Sequence, residues 1–313
     1  IQLMAATPSA NLNYREECFS GRAAMTANKR NITLLLPALV LYLITFTAPL
    51  VVLLVLSFGR FDKSITTLGF HLDGYIKFFE PTYLRVFFDT FFISLYITFF
   101  CLILSFPVAI LMHRVQPFMK NIILFCVISP LLTSIIVRNS AWMLVLGNQG
   151  IINQFADYIG LNDVLRDMGL ISRFASLPLM NNVFGVVLGT VHVYLPFMVL
   201  PIYASLSAIN TSIEESARNL GASSMQLFRN ITWPLSLPGV IAGCTLVFIL
   251  SMGLYVTPVI MGGNKVVTIP MIITGLVRDR YNWPTASAFS VMLLITILFT
   301  VYVSRLLQRS VKV

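Results

Sequence analysis

Charge is what this chain has least of. Asp, Glu, Lys and Arg make up 11% of it, where a soluble domain carries about 25%. With 57% hydrophobic residues and a mean hydropathy of +0.85, 313 residues cannot cover a globule with polar surface, so a soluble enzyme is excluded. Cysteine is scarce too. Of Cys18, Cys101, Cys126 and Cys244, the last three sit in apolar runs as small hydrophobes, with neither the pairing of a disulfide framework nor the clustering of a metal site. Histidine is confined to His71, His113 and His192. No His-Glu-x-x-His and no Gly-x-Ser-x-Gly occurs, which leaves an intramembrane enzyme without a motif. No Gly-x-x-x-x-Gly-Lys-Ser/Thr occurs, so the chain lacks the turn and lysine that hydrolyse ATP in the P-loop manner. The one acid near an apolar run is Asp89, at its edge. That argues against the more distant alternative, an ATP-independent secondary carrier with membrane-embedded acids for ion coupling. The net charge of +9 then serves topology and contact with lipid, not nucleic acid.

What the sequence has is long apolar runs. A bilayer core about 30 Å thick needs about 20 apolar residues in a helix. Six stretches meet that length, near Leu34–Phe58, Thr90–Met112, Ile122–Leu146, Phe184–Leu206, Gly239–Ile260 and Ala286–Leu307. The expected fold is therefore an all-α, polytopic membrane helix bundle of six spans. The first run is too long for a secretory signal core and comes after a polar leader, so it is expected to remain as a span. The expected organisation is a polar N-terminal cytoplasmic segment at 1–30 and a transmembrane domain at 31–313. Pro37, Pro49, Pro107, Pro130, Pro196, Pro201 and Pro258 interrupt the runs, and each removes a backbone bond that neighbours or water must replace. Lys and Arg divide almost evenly between the two sets of loops, so they do not fix the orientation.

The connection from Asn210 to Pro238 is richer than a linker needs to be. Ser212 with Glu215, and Ser223 with Gln226, have capping-box spacing. Gly221 stands where a helix would end in a left-handed turn. Ile213, Ala217 and Leu220 recur at helical spacing, as do Leu227 and Ile231. The pattern predicts two short helices at a membrane surface, each with one apolar stripe, and Pro234 and Pro238 lead into the fifth span. Such a segment is suited to docking onto another protein.

These residues carry a family resemblance. Glu215-Ser216-Ala217, then Gly221, Ile231, Trp233 and Pro234 are similar in spacing to the EAA loop of bacterial ABC importer permeases. Ser216 stands for the family's first alanine and Trp233 for its usual leucine. Arg138-Asn-Ser-Ala-Trp142, Tyr194-Leu-Pro-Phe-Met-Val-Leu-Pro201, Met261-Gly-Gly263 and Asn282-Trp-Pro-Thr285 resemble permeases of the spermidine/putrescine type, with coverage from about the first span to the last.

The resemblance implies a type I ABC importer transmembrane domain in the bacterial inner membrane, with both termini and the 210–238 loop in the cytoplasm. Its implied partners are an ABC ATPase dimer, a second permease subunit (a heterodimer, or else a homodimer) and a periplasmic solute-binding protein. No cofactor belongs to this chain; ATP and Mg are bound by the partner ATPase. The implied solute is polyamine-like, with an opine, amino-acid derivative, phosphonate or thiamine as alternatives. Glu215, Ala217, Gly221, Ile231 and Pro234 are the expected ATPase-coupling residues. Asp89, Arg138, Asn139, His192, Tyr255 and Thr257 are candidates for the substrate pathway, since ionisable and polar groups inside a membrane are expensive to keep there. In a straight third span Arg138 lies roughly 24 Å from the cytoplasmic start. There it would snorkel to water or pair with Asp89.

The outer loop from Ile151 to Ile171 carries Phe155, Ile159, Leu161, Val164, Leu165 and Met168 at helical intervals, broken at Gly160, with Asn162 able to cap the second stretch. Short amphipathic surface helices are expected there.

Overall fold

The computed structural model describes residues 36–62, 65–67, 69–162, 164, 168 and 177–311. The segment 1–30 and Leu165 of the 151–171 loop lie outside them. The chain divides into two units, Ile1–Val55 and Leu56–Val313. In the first, helix α1 (Leu36–Ser57) begins, and its side chains are exposed from Leu36 through Val52. Tyr42 and Phe46, one turn apart, stack at 5.7 Å. A helix that is apolar on every side finds its solvent in hydrocarbon.

The second unit starts with a short antiparallel hairpin, β1 (Arg60–Asp62) and β2 (Ile65–Thr67), in register Phe61 to Thr66. Then come α2 (Asp73–Phe78), α3 (Pro81–Arg114), α4 (Pro117–Ile128), α5 (Ile135–Leu146) and α6 (Ile151–Tyr158). Beyond the undescribed stretch lie α7 (Val183–Ser207), α8 (Thr211–Asn219) and α9 (Ser224–Met252). Three more helices complete the chain: α10 (Val256–Met261), α11 (Ile269–Arg278) and α12 (Trp283–Val311).

Helices α3, α7 and α9 pack pairwise and make the heart of the bundle. Ile97 and Cys101 from α3, Met198 and Ile202 from α7 and Val247 from α9 are fully buried there. The approach of α7 and α9 depends on a missing side chain. A Cβ on Gly239 would stand 2.5 Å from the Pro201 carbonyl oxygen and 2.6 Å from Ser205 Cβ, so only glycine lets the two backbones close; small residues do this generally in membrane bundles. A second cluster gathers Phe78 of α2, Ile269 and Leu276 of α11 and Phe289 of α12. Several hydroxyls inside the bundle are met within their own helices, while Ser105 of α3 donates across to the Leu195 carbonyl of α7. Thr90, Ser94, Thr98, Thr190 and Ser251 each donate to the carbonyl one turn earlier, a bond that hides a polar group where no water reaches.

Among the described residues five helices are long and apolar enough to span a membrane, and six if a bent pair is counted as one span. That pair corrects the expectation of a continuous third span over Ile122–Leu146. Pro117–Leu132 meets Ile135–Tyr158 at 100°. Pro130 lies in a 3₁₀ turn over Ser129–Leu132 and has no N–H to offer the preceding turn. Thr133 and Ser134 then adopt extended backbone, with ψ of 146° and 136°. The other prolines do less than expected. Pro107 lies inside α3, Pro196 and Pro201 inside α7, and none of these helices breaks. The fifth span is displaced from the expected Gly239–Ile260. It starts at Ser224, ends at Met252 and gives way at Gly253 before α10. A π turn over Phe228–Thr232 stands just ahead of Pro234, where the missing N–H would interrupt an ordinary ladder. In the loop after α6 Gly160 turns the chain at φ 71°, and Asn162 Nδ2 donates to Asp157 Oδ1 at 2.8 Å.

Candidate functional site

The segment between α7 and α9 is built by its own side chains. Asn210 Oδ1 accepts from the Ser212 N–H at 3.0 Å, so Asn210 caps α8 and the expected Ser212–Glu215 box does not form. The side chain of Asn210 reaches the second N–H of the helix, as an N-cap should, and this leaves Glu215 exposed with no bond of its own among the described residues. The C-terminal end of α8 closes through Gly221 N–H to Arg218 O at 2.9 Å and Ala222 N–H to Ala217 O at 3.0 Å. Gly221 sits at φ 83° with open space around it. It is glycine for its backbone, not for room.

The second capping box does form. Ser223 N–H donates to Gln226 Oε1 at 2.8 Å and Gln226 N–H to Ser223 Oγ at 3.3 Å. The separate short helix expected from the sequence is absent at this point, because the turn after Ser223 runs through the π turn into the fifth span. Leu227 is buried, and Phe106 of α3 meets the rings of Phe228 and Trp233 at 6.0 and 5.1 Å, both edge to face. Ile231 and Pro234 are half-buried at this joint. Phe106 was not among the expected residues; its role shows only once α3 and α9 are side by side. On the open side Ile213 is 46% exposed and Leu220 89%, an apolar face that this chain leaves bare beside half-buried Ala217.

The polar residues singled out within the spans separate into four groups. Arg138 turns back on the bend. Its guanidinium donates to the Pro130 carbonyl, to Thr133 O at 2.6 Å and to Thr133 Oγ1 at 3.0 Å. It neither snorkels along a straight helix nor pairs with Asp89. The bend leaves carbonyls without helical partners, and a cation at a helix C-terminus satisfies both the bonds and the dipole. Next to it, fully buried Asn139 donates from Nδ2 to Thr257 Oγ1 at 3.2 Å, while Asn139 Oδ1 has no partner among the described residues. This bond ties α5 to α10, directly after the break at the end of α9, and Tyr255 is the residue preceding α10. His192 stands on α7 and accepts from Trp142 Nε1 at 3.4 Å, with the rings edge to face. Asp89 belongs elsewhere. It lines two adjoining recesses with Lys265, which include none of the other five residues. Among the described residues no three His, Cys, Asp or Glu side chains gather to hold a metal.

The structure is thus a polytopic helix bundle with one bent pair and a capped, partly bare segment ahead of its Ser224–Met252 helix. Residues 20–313 match the family described as binding-protein-dependent transport system inner membrane component, and the chain belongs to that family, as a permease subunit of an ABC importer. It is 32% identical over 267 residues to the spermidine/putrescine transport system permease protein PotB of Haemophilus influenzae, covering 84% of this chain and 90% of the relative. It is likewise 32% identical over 257 residues to PotB of Escherichia coli, covering 81% and 90%. In fold it is similar to a chain of a bacterial alginate ABC transporter solved with its pentasaccharide-bound periplasmic protein. The TM-score is 0.71 at 17% identity, over 91% of this chain and 97% of the other.

Proposed function

We propose that this chain forms one half of a polyamine import channel, powered from the cytoplasm by a separate ATPase dimer that grips α8. The observation that carries this reading is the bare apolar face of Ile213 and Leu220 beside the left-handed Gly221. Glu215, exposed and unbonded among the described residues, is free to accept a hydrogen bond from the ATPase, and Ala217 permits close approach. Ile231 and Pro234 carry the displacement into the bundle. The segment and both termini face the cytoplasm, and residues 31–313 form the permease domain. ATP and Mg are bound by the ATPase, since this chain has no P-loop. A second permease chain faces this one, and a periplasmic binding protein delivers the solute. The names of the relatives, similar over most of both chains, support a polyamine as that solute.

Alternating access then results from geometry. A pull on α8 rocks α9, and the break after α9 moves α10 against α5 through the Asn139–Thr257 bond. Asn139, Thr257, Tyr255 and His192 border the solute route, and Arg138 fixes the bend from which Asn139 projects.

The test is to co-express the permease with candidate ATPase, partner permease and binding protein, and to measure uptake of labelled putrescine and spermidine in proteoliposomes. ATP-dependent uptake is expected, abolished when the binding protein is left out. Failure of any ATPase to copurify, or labelling of a cysteine placed at Ser216 from outside intact cells, overturns the reading.

A further inference from the structure

Arg85, Asp89 and Lys265 line one continuous groove along α3, and none of the three forms an ion pair among the described residues. Towards the start of α3 the groove holds about 470 Å³ and carries Thr82, Arg85, Asp89 and Lys265. It continues into about 340 Å³ walled by Phe92, Ile93, Tyr96 and Val183, with Asp89 and Lys265 at the junction. Charge thus gives way to apolar and aromatic surface within two turns of helix.

We propose that this groove holds a phospholipid whose headgroup carries both a phosphate and a primary ammonium. Depth is the first argument. The 34 residues of α3 measure about 51 Å at about 1.5 Å each, against a hydrocarbon core of about 30 Å. With α3 centred in the bilayer, Asp89, eight residues after Pro81, lies about 12 Å from the helix start, close to the boundary where headgroups give way to acyl chains. Charge is the second argument. Arg85 and Lys265 offer the donors that a phosphate takes, while the Asp89 carboxylate accepts from an N–H that a primary ammonium has and a quaternary one lacks. An anionic headgroup without an ammonium would set its phosphate against Asp89. A polycationic solute would meet two like charges for one opposite charge. Shape is the third argument. Phe92 and Tyr96 are each 49% exposed, and the apolar strip continues through Leu95 and Phe99, at 45% and 56%. An acyl chain has somewhere to lie. The inference needs only a bilayer around this chain and is independent of which solute is carried.

The test uses the assembled transporter in nanodiscs of phosphatidylcholine with equal mole fractions of phosphatidylethanolamine and phosphatidylglycerol. Lipid retained after detergent extraction is measured by native mass spectrometry. Phosphatidylethanolamine is expected to be enriched about tenfold over either competitor, the scale of one charge-assisted contact. Asp89→Asn should abolish the preference over phosphatidylcholine, and Arg85→Gln with Lys265→Gln should abolish retention. Both variants are scored only on complexes that copurify intact. Equal retention by wild type and the double variant, or enrichment of phosphatidylglycerol, overturns the proposal. So does full displacement by glycerophosphoethanolamine, which has the headgroup without the chains and would make the groove a site for a free zwitterion.

Discussion

The Arg138 guanidinium donates to the main-chain oxygen of Thr133 at 2.6 Å, so a residue in the first turn of the third span's second half ties off the first half. Ion pairing has no part in this. A helix that turns through 100° inside a membrane must have its loosened carbonyls met by some group of the protein.

Replacing Arg138 with Leu is expected to lower the thermal unfolding midpoint of the assembled transporter, through a loss of about 1.5–3 kcal/mol for bonds to a charged group. Arg138→Lys should recover part of it, since an ammonium supplies the charge but not the planar fork. An unchanged midpoint for Arg138→Leu would remove the bend-holding role.

Gly221 should tolerate substitution in the order Asn, then Ala, then Val. Its φ of 83° costs an ordinary residue about 1–2 kcal/mol, and Asn adopts that region more readily. The space around it is open, so size alone does not set the order. The readout is ATPase activity stimulated by the binding protein, with permease abundance in the membrane held as the control.

The bare face of α8 is expected to fail when charged. Ile213→Glu with Leu220→Glu should insert normally, because both side chains are exposed. Copurification of the ATPase should drop by at least about tenfold, the scale of losing a well-buried interface anchor. Retention of the ATPase at wild-type levels would place the docking surface elsewhere.

Gly239→Ala should destabilise the α7–α9 contact. The added methyl meets the Pro201 carbonyl oxygen at 2.5 Å, and overpacking of this kind costs about 1–3 kcal/mol. Partner assembly and detergent stability should fall together, and Gly243→Ala, which meets Met198 Sδ at 2.7 Å, should be milder because a thioether can move. A double-mutant cycle on Asn139→Ala and Thr257→Val should return a coupling of about 1 kcal/mol, the ordinary net worth of such a bond.

Much of this was legible in the residues. Apolar run length located the long helices among the described residues, because hydrocarbon imposes one length on any helix that crosses it, but it set the fifth too late in the chain and ran the third straight through its bend. The spacing of Ser223 to Gln226 and the position of Gly221 are local effects, and local effects read well. Asn210 was missed as the cap of α8, since Ser212 with Glu215 offers an equally good box two residues on; only the backbone reveals where the first turn begins. The bend at Pro130 could not be told from the tolerated Pro107, Pro196 and Pro201, because neighbouring helices decide whether a proline breaks its own. For the same reason Arg138 was sought against Asp89. Its true partners are carbonyls that exist as acceptors only after the bend has formed. Lys265 and Arg85 gave no signal at all, being far apart in sequence from each other's side of the groove.

The unbroken run from Ser224 to Met252 has a mechanical meaning. Its 29 residues make a rod about 43 Å long, clamped near one end where Phe106 wedges between Phe228 and Trp233. Tilting such a rod by roughly 5° swings its far tip by about 4 Å over that length, wide enough to shut or unshut a passage one small molecule across. Leverage of this sort needs no unfolding and no flexible tether, only a stiff beam and a fulcrum.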